Sequence, residues 1–401
     1  MKKLFTWQRL LLLITSVAII SCSDSNDEPE VLLPKLDGFY VYGTNTVAES
    51  AVEPNARMAV AALDKTQGAG VESMDGIYGK WLYIGANSTI TFAEVVNEVG
   101  TTFGAPNGGT VGNGKDLGFS VNDNIVYGTL ASDAPPIKVT DEGLYYAFVN
   151  STTDEFVLMR AKANMIGPAT PEGWDEGTFL PQKSTSKDST VFENTNLYLL
   201  GGDTGYKYRF NDGWAAFTAN NIVTLTSLGV EDYGKAWDTG INDVGFYNSN
   251  IPQKETGDFT VRLKYTASTN EWKETKIRSY TKTKVGLFGN AYYLPSGEEG
   301  SWGDPYQVIE PTQSGSTYTW TWNDVQLIEG RDFVVLENGT WGGMAVLYNS
   351  ATVREGDAFT NNKITNGGTN ENFTVSVGGV YDITLKINAV SGARTITIKA
   401  N

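Results

Sequence analysis

Between residues 379 and 388 the chain alternates, with Tyr381, Ile383, Leu385 and Ile387 on one parity and Asp382, Thr384 and Lys386 on the other. A period of two marks a strand with one face buried. A polar turn at 388–392 follows, and Ile396 and Ile398 restart the alternation. The chain is thus predicted to end in a β-hairpin. Two earlier stretches have the same shape: 143–149 turning through 150–154 into 155–158, and 257–265 turning through 266–270 into 271–273. Each hairpin closes a unit of about 120 residues, so the unit occurs three times.

Other landmarks keep the same order within each unit. A short apolar strand running into Gly opens them, at 40–45, 165–169 and 287–290. A central apolar pair around a Gly turn follows, at 77–84, 197–210 and 325–336. The expected fold is all-β: three tandem β-sandwich modules of immunoglobulin-like size, at 34–163, 164–280 and 281–401. One short helix is expected at 55–65. The composition agrees, with 44 Gly, 20 Tyr and 17 Phe in 401 residues. That is a turn-rich, strand-rich usage.

Residues 1–21 read differently. Lys2, Lys3 and Arg9 form a positive start, and the apolar run 10–20 is too short to span a bilayer. This is a secretory leader, and Ile19-Ile-Ser-Cys22 has the form of a bacterial lipobox. Cys22, the single cysteine, is the expected lipid anchor. Residues 22–33 are an acidic, solvated tether. A net charge of −16 repels phosphate backbones, so nucleic-acid binding is not expected, and acidic polysaccharides are disfavoured too.

The candidate chemistry lies with tryptophan. Trp81, Trp272 and Trp320 fall on alternating strands and are expected in cores or on sheet faces; Trp322 is open between the two roles. Trp174 and Trp302 instead lie in Gly-rich polar loops, at 171–177 and 299–305. Trp214 follows Asn211-Asp-Gly, and Trp341 follows Asn338-Gly-Thr. The loop pair thus recurs in the second and third units and is missing from the first, which reads as a spacer. A Trp ring offers a flat face on which the C–H face of a pyranose packs, while nearby polar groups bond its hydroxyls. Tyr306, Asn338 and Arg354 lie near the third unit's pair, and Trp237 near the second's. The alternative role for these aromatics is to plug loop bases.

The lipobox, the tandem sandwiches and the loop Trp followed by Asn-Asp-Gly-Trp214 or Asn-Gly-Thr-Trp341 resemble the SusE/SusF group of outer-membrane glycan-binding lipoproteins of Bacteroidetes. The resemblance implies a non-catalytic protein, lipid-anchored in the outer membrane and facing the exterior. It would hold a neutral polysaccharide beside a SusC/SusD-type importer. The family's first member points to an α-glucan. Two stacked aromatics and a basic residue per site would fall here on Trp302, Trp341 and Arg354. Members often begin with an immunoglobulin-like spacer, whereas the first unit here looks like a degenerate repeat.

No cofactor or metal is called for. The chain has no His, which removes His-based triads and the commonest metal ligand. No Gly-x-Ser-x-Gly elbow or EF-hand loop occurs. With 46 Asp and Glu, chance carboxylate pairs are certain, so a glycoside hydrolase stays as one alternative. A structural or adhesin-like lipoprotein with protein partners is the other. It predicts no sugar binding.

Overall fold

The predicted closing hairpins lie at the middle of their sheets. A computed structural model describes residues 33–401 apart from 62, 65–70, 73, 74, 115, 117–122, 203, 214, 220, 221, 226, 240–242, 248 and 339–342. The leader, Cys22, Trp214 and Trp341 lie outside the described residues. The fold is all-β, built as sandwiches of antiparallel sheets. In the last sandwich one sheet runs Thr312–Ser314, Thr317–Leu327, Gly379–Asn388, Arg394–Ala400, with Val353–Glu355 added in parallel at the edge. The facing sheet runs Tyr306–Ile309, Val285–Gly289, Asp332–Glu337, Phe373–Val375, Ile364–Asn366. Trp320 and Trp322 are fully buried between them. Trp320 donates Nε1–H to the Thr283 carbonyl at 3.1 Å, and Trp322 to that of Gln307 at 2.9 Å. Both buried indoles thus have an acceptor for their N–H, and both are core residues.

The middle sandwich repeats the layout. One sheet runs Gln182–Thr185, Ser189–Leu199, Gly257–Thr266, Glu271–Ser279, Asp243–Val244. The other runs Thr178–Leu180, Ala163–Ile166, Thr204–Phe210, Ser227–Leu228. The two long strands share even an irregularity: the register shifts between Asn194 and Leu197 in one, and between Trp322 and Val325 in the other. A bulge kept at one place in two repeats marks a common plan.

The first sandwich departs from it. Its strand Gly143–Asn150 is buried at every position. Leu144, Tyr146 and Phe148 join the core of the middle sandwich, while Tyr145, Ala147 and Val149 join their own. Trp81, on the neighbouring strand Ile77–Ile84, is the centre of the shared core. Its ring lies 4.8 Å from Tyr146, 4.7 Å from Phe210 and 5.3 Å from Trp272. Tyr265 of the middle sandwich donates its hydroxyl to the Trp81 carbonyl at 2.8 Å. A strand buried on both faces has no polar parity, and Leu144–Val149 shows none.

The junction between the middle and last sandwiches is ionic instead. Arg278 Nη2 donates to both carboxylate oxygens of Glu337, at 2.8 and 2.6 Å, and Nη1 to Glu255 at 3.0 Å. Arg394 of the last sandwich closes the network on the other oxygen of Glu255 at 2.5 Å. The Arg278 guanidinium also stacks on the Tyr280 ring at 4.7 Å. Burial alone would lower the Arg278 pKa, but the carboxylates of Glu337 and Glu255 outweigh it and raise it.

The expected helix at 55–65 does not form. A 3-10 turn occupies Pro54–Ala56, and Ala59–Val60 and Leu63–Asp64 are strands. Ala59 and Val60 pair with Gly79 and Tyr78, and Leu63 with Thr224 of the middle sandwich. Sheet partners distant in sequence override the local helical preference here.

Candidate functional site

Trp174 and Trp302 occupy the same place in their sandwiches. Each lies on the loop that leaves a Gly-terminated opening strand, Ala163–Ile166 or Val285–Gly289, and returns as the edge strand paired to it. Each is 44% exposed. The other Trps whose side chains are described, Trp81, Trp272, Trp320 and Trp322, are buried.

Both loops are held by their own hydrogen bonds. Around Trp302, Ser301 Oγ donates to Asp304 Oδ2 at 2.7 Å, and the Gly303 and Asp304 amides return to Ser301 at 3.2 and 3.1 Å. The Tyr292 hydroxyl lies beneath, 2.9 Å from the carbonyls of Leu287 and Asp304. Gly300 is needed for that fit, because a Cβ there would stand 2.3 Å from the Tyr292 ring. Around Trp174, the Gly167 amide donates to the Gly173 carbonyl at 2.8 Å and the Thr170 hydroxyl to Gly167 at 2.8 Å. A ring on a fixed loop loses little entropy when a ligand packs on it.

The strands beside these loops carry different chemistry. In the last sandwich the outward positions of the two central strands are Gly286, Phe288, Val334 and Leu336. The last three are buried beneath Ala345 and Leu347. In the middle sandwich the corresponding positions are Asn164, Ile166, Lys207 and Arg209. There Asp212 accepts from Asn164 at 2.7 Å and from Arg209 at 3.3 Å. The two faces therefore differ in polarity.

Tyr306, Arg354 and Asn338 have different surroundings. Tyr306 is only 6% exposed, with its ring packed edge-on to Tyr292 at 5.5 Å. Burial pushes its phenol pKa up, and Asp324 adds to the shift. It packs inward, paired opposite Leu287, beneath the Trp302 loop. Arg354 Nη1 donates to the carbonyls of Tyr348 at 2.8 Å and Ala351 at 3.3 Å. Its guanidinium lies 4.7 Å over the Tyr348 ring. These contacts hold Arg354 on the 348–351 turn. Asn338 is exposed at the end of Asp332–Glu337, and its amide donates to the Lys284 carbonyl at 2.8 Å. Because Val285 pairs with Glu337 and Gly289 with Phe333, Asn338 and the start of the Trp302 loop mark opposite ends of Val285–Gly289. That strand separates them by roughly 13 Å. Trp237 lies on the short helix Tyr233–Thr239, with its side chain outside the described residues, as are Trp214 and Trp341 entirely. Asn211, next to Trp214, is buried and bonds Asp123, Arg160 and Lys162, so it serves the contact with the first sandwich.

Among the described residues, four exposed aromatics escaped the sequence reading: Phe179, Tyr198, Tyr247 and Tyr293. Tyr293, 38% exposed, sits on the Trp302 loop, and Tyr198, 48% exposed, points outward from Ser189–Leu199. Tyr198 takes the parity opposite to the buried Leu197 and Leu199, so parity alone could have found it.

Among the described residues no cluster of acidic or sulfur side chains could hold a metal, and no helix is long and apolar enough to cross a membrane. No family model matches the chain, and no curated protein does. Among solved structures, the crystal structure of SusF from Bacteroides thetaiotaomicron is similar at 14% identity, over 92% of this chain and 73% of that one. Its TM-score of 0.22 means that the overall arrangements do not superpose.

Proposed function

We propose that this chain is a non-catalytic lipoprotein of the SusE/SusF kind that captures a neutral polysaccharide, an α-glucan first of all, by aromatic stacking at the cell surface. Behind a leader at 1–21 and a tether at 22–33, the units would be 34–163, 164–280 and 281–401, with glycan held by the last two. The observation that carries this is the pair Trp174 and Trp302. They are equally exposed on hydrogen-bonded loops at one topological position, while the other described indoles are buried. A half-exposed indole on a hydrogen-bonded loop offers a flat apolar face on which a pyranose can stack. Trp341, Asn338 and Arg354 would add contacts in the third unit, and Trp214 and Trp237 in the second. The captured chain would be passed to a SusC/SusD-type importer.

Trp302→Ala is expected to weaken neutral-glycan binding ten- to a hundredfold, on the order of 1–3 kcal/mol for one lost stacking platform, with an unchanged melting point. Trp341→Ala is expected to behave alike. Trp320→Ala is the contrast: it empties a core position and should cost about 3–5 kcal/mol of stability. Affinity electrophoresis with thermal melts separates these outcomes. If Trp302→Ala migrates as wild type through every retarding polysaccharide and melts lower, the ring is a plug. Cys22→Ala should move the protein out of the membrane fraction, because a chain of net charge −16 has little else to hold a bilayer. Retention of that variant after a salt wash would contradict the anchor.

A further inference from the structure

We propose that the cleft between the middle and last sandwiches is an additional carbohydrate subsite, so that one glycan chain is held across the junction. This rests on the reading that the last sandwich binds neutral glycan. The cleft has a volume of about 430 Å³ and is lined by Tyr198, Asp258, Lys282 and Asn338 over a floor that includes Glu337 and Gly343. That is within the size range of small-molecule sites, roughly 300–1,000 Å³.

Its chemistry is that of a sugar site. Tyr198 turns a half-exposed ring outward beside its register partner Asp258. Around that ring stand a carboxylate, an ammonium and an amide: an acceptor, a donor, and a group that is both. Among the described residues, the side chains of Asp258, Lys282 and Asn338 make no hydrogen bond or ion pair within the protein. Asp258 and Lys282 line one cleft without pairing to each other, which leaves their capacity for a ligand's hydroxyls. One wall cation and two acidic groups, Asp258 and Glu337, make a poor anion site, which points to a neutral ligand.

The cleft is also tied to the junction and continuous with the candidate surface. Its floor residue Glu337 is bound by Arg278, which holds the two sandwiches together. Asn338 bounds the cleft and stands at the end of Val285–Gly289 opposite the Trp302 loop. A glycan that lies over the Trp302 loop and follows that strand for roughly 13 Å from the loop's start reaches the cleft. Two contacts on one rigid body raise affinity for a chain long enough to touch both and do nothing for a short one.

Chain length is therefore the readout. The probes are oligosaccharides of three and seven sugars cut from whichever neutral polysaccharide retards the wild-type chain lacking residues 1–22. Calorimetry on wild type should show the longer probe bound about tenfold more tightly. Tyr198→Ala should remove that advantage and leave the shorter probe unaffected, with an unchanged melting curve since the ring is exposed. Tyr198→Phe should keep it, and Asp258→Ala should reduce it. If Tyr198→Ala binds the longer probe as wild type does, while Trp302→Ala loses both probes, the junction subsite is wrong and the glycan function stands. If no neutral polysaccharide retards the wild-type chain, both are overturned.

Discussion

Trp81→Ala should destabilise the first two sandwiches by about 3–5 kcal/mol, the cost of emptying a large buried aromatic site. Trp81 touches Tyr146 within its own sandwich and Phe210 and Trp272 across the boundary, so the cavity opens in a core that both share. The backbone beneath it is also tied across, through the Tyr265 hydroxyl. For a body of this size the loss lowers the melting temperature by on the order of 10 °C. The last sandwich has a separate core and should melt as before. Differential scanning calorimetry of the whole chain should therefore show one transition moved and another unmoved. Two transitions moving in parallel, or neither moving, would contradict a core shared by only the first two sandwiches.

Arg278→Ala should act on the other junction, at a similar cost of about 3–5 kcal/mol, because it strands a buried carboxylate. Glu337 is one-tenth exposed at its side chain, and among the described residues its remaining donor is the Met344 amide at 2.9 Å. Removing Arg278 also takes a partner from Glu255 and a stacking cation from Tyr280. Adding Glu337→Gln to Arg278→Ala should recover part of the loss, since the amide oxygen can still accept from Met344 without a charge to solvate. A double variant no more stable than Arg278→Ala would show that the stranded charge is not the source of the penalty.

Much of this architecture was legible in the chain. The alternation at Tyr381–Ile387 marks a strand with one wet face, and it became the centre of a sheet. The unbroken apolar run Leu144–Val149 signals burial on both faces, although the element that covers the second face is not in its own unit. Trp174 and Trp302 stood out because Gly-rich polar sequence surrounds an indole, and both rings are exposed. The burial of Tyr306 was not legible, because only its pairing opposite Leu287 turns it inward. The carbonyls that hold Arg354 are made available by a turn, which no spacing reveals. The junction ion pair joins residues 59 positions apart on different sandwiches, and nothing local to either predicts it.

The most direct test of the glycan-capture account is affinity electrophoresis of the chain lacking residues 1–22 through gels that each contain one neutral polysaccharide, with amylopectin first. The account predicts retarded migration in at least one, largely lost in Trp302→Ala. Unretarded migration in every gel by a protein that melts cooperatively would contradict it.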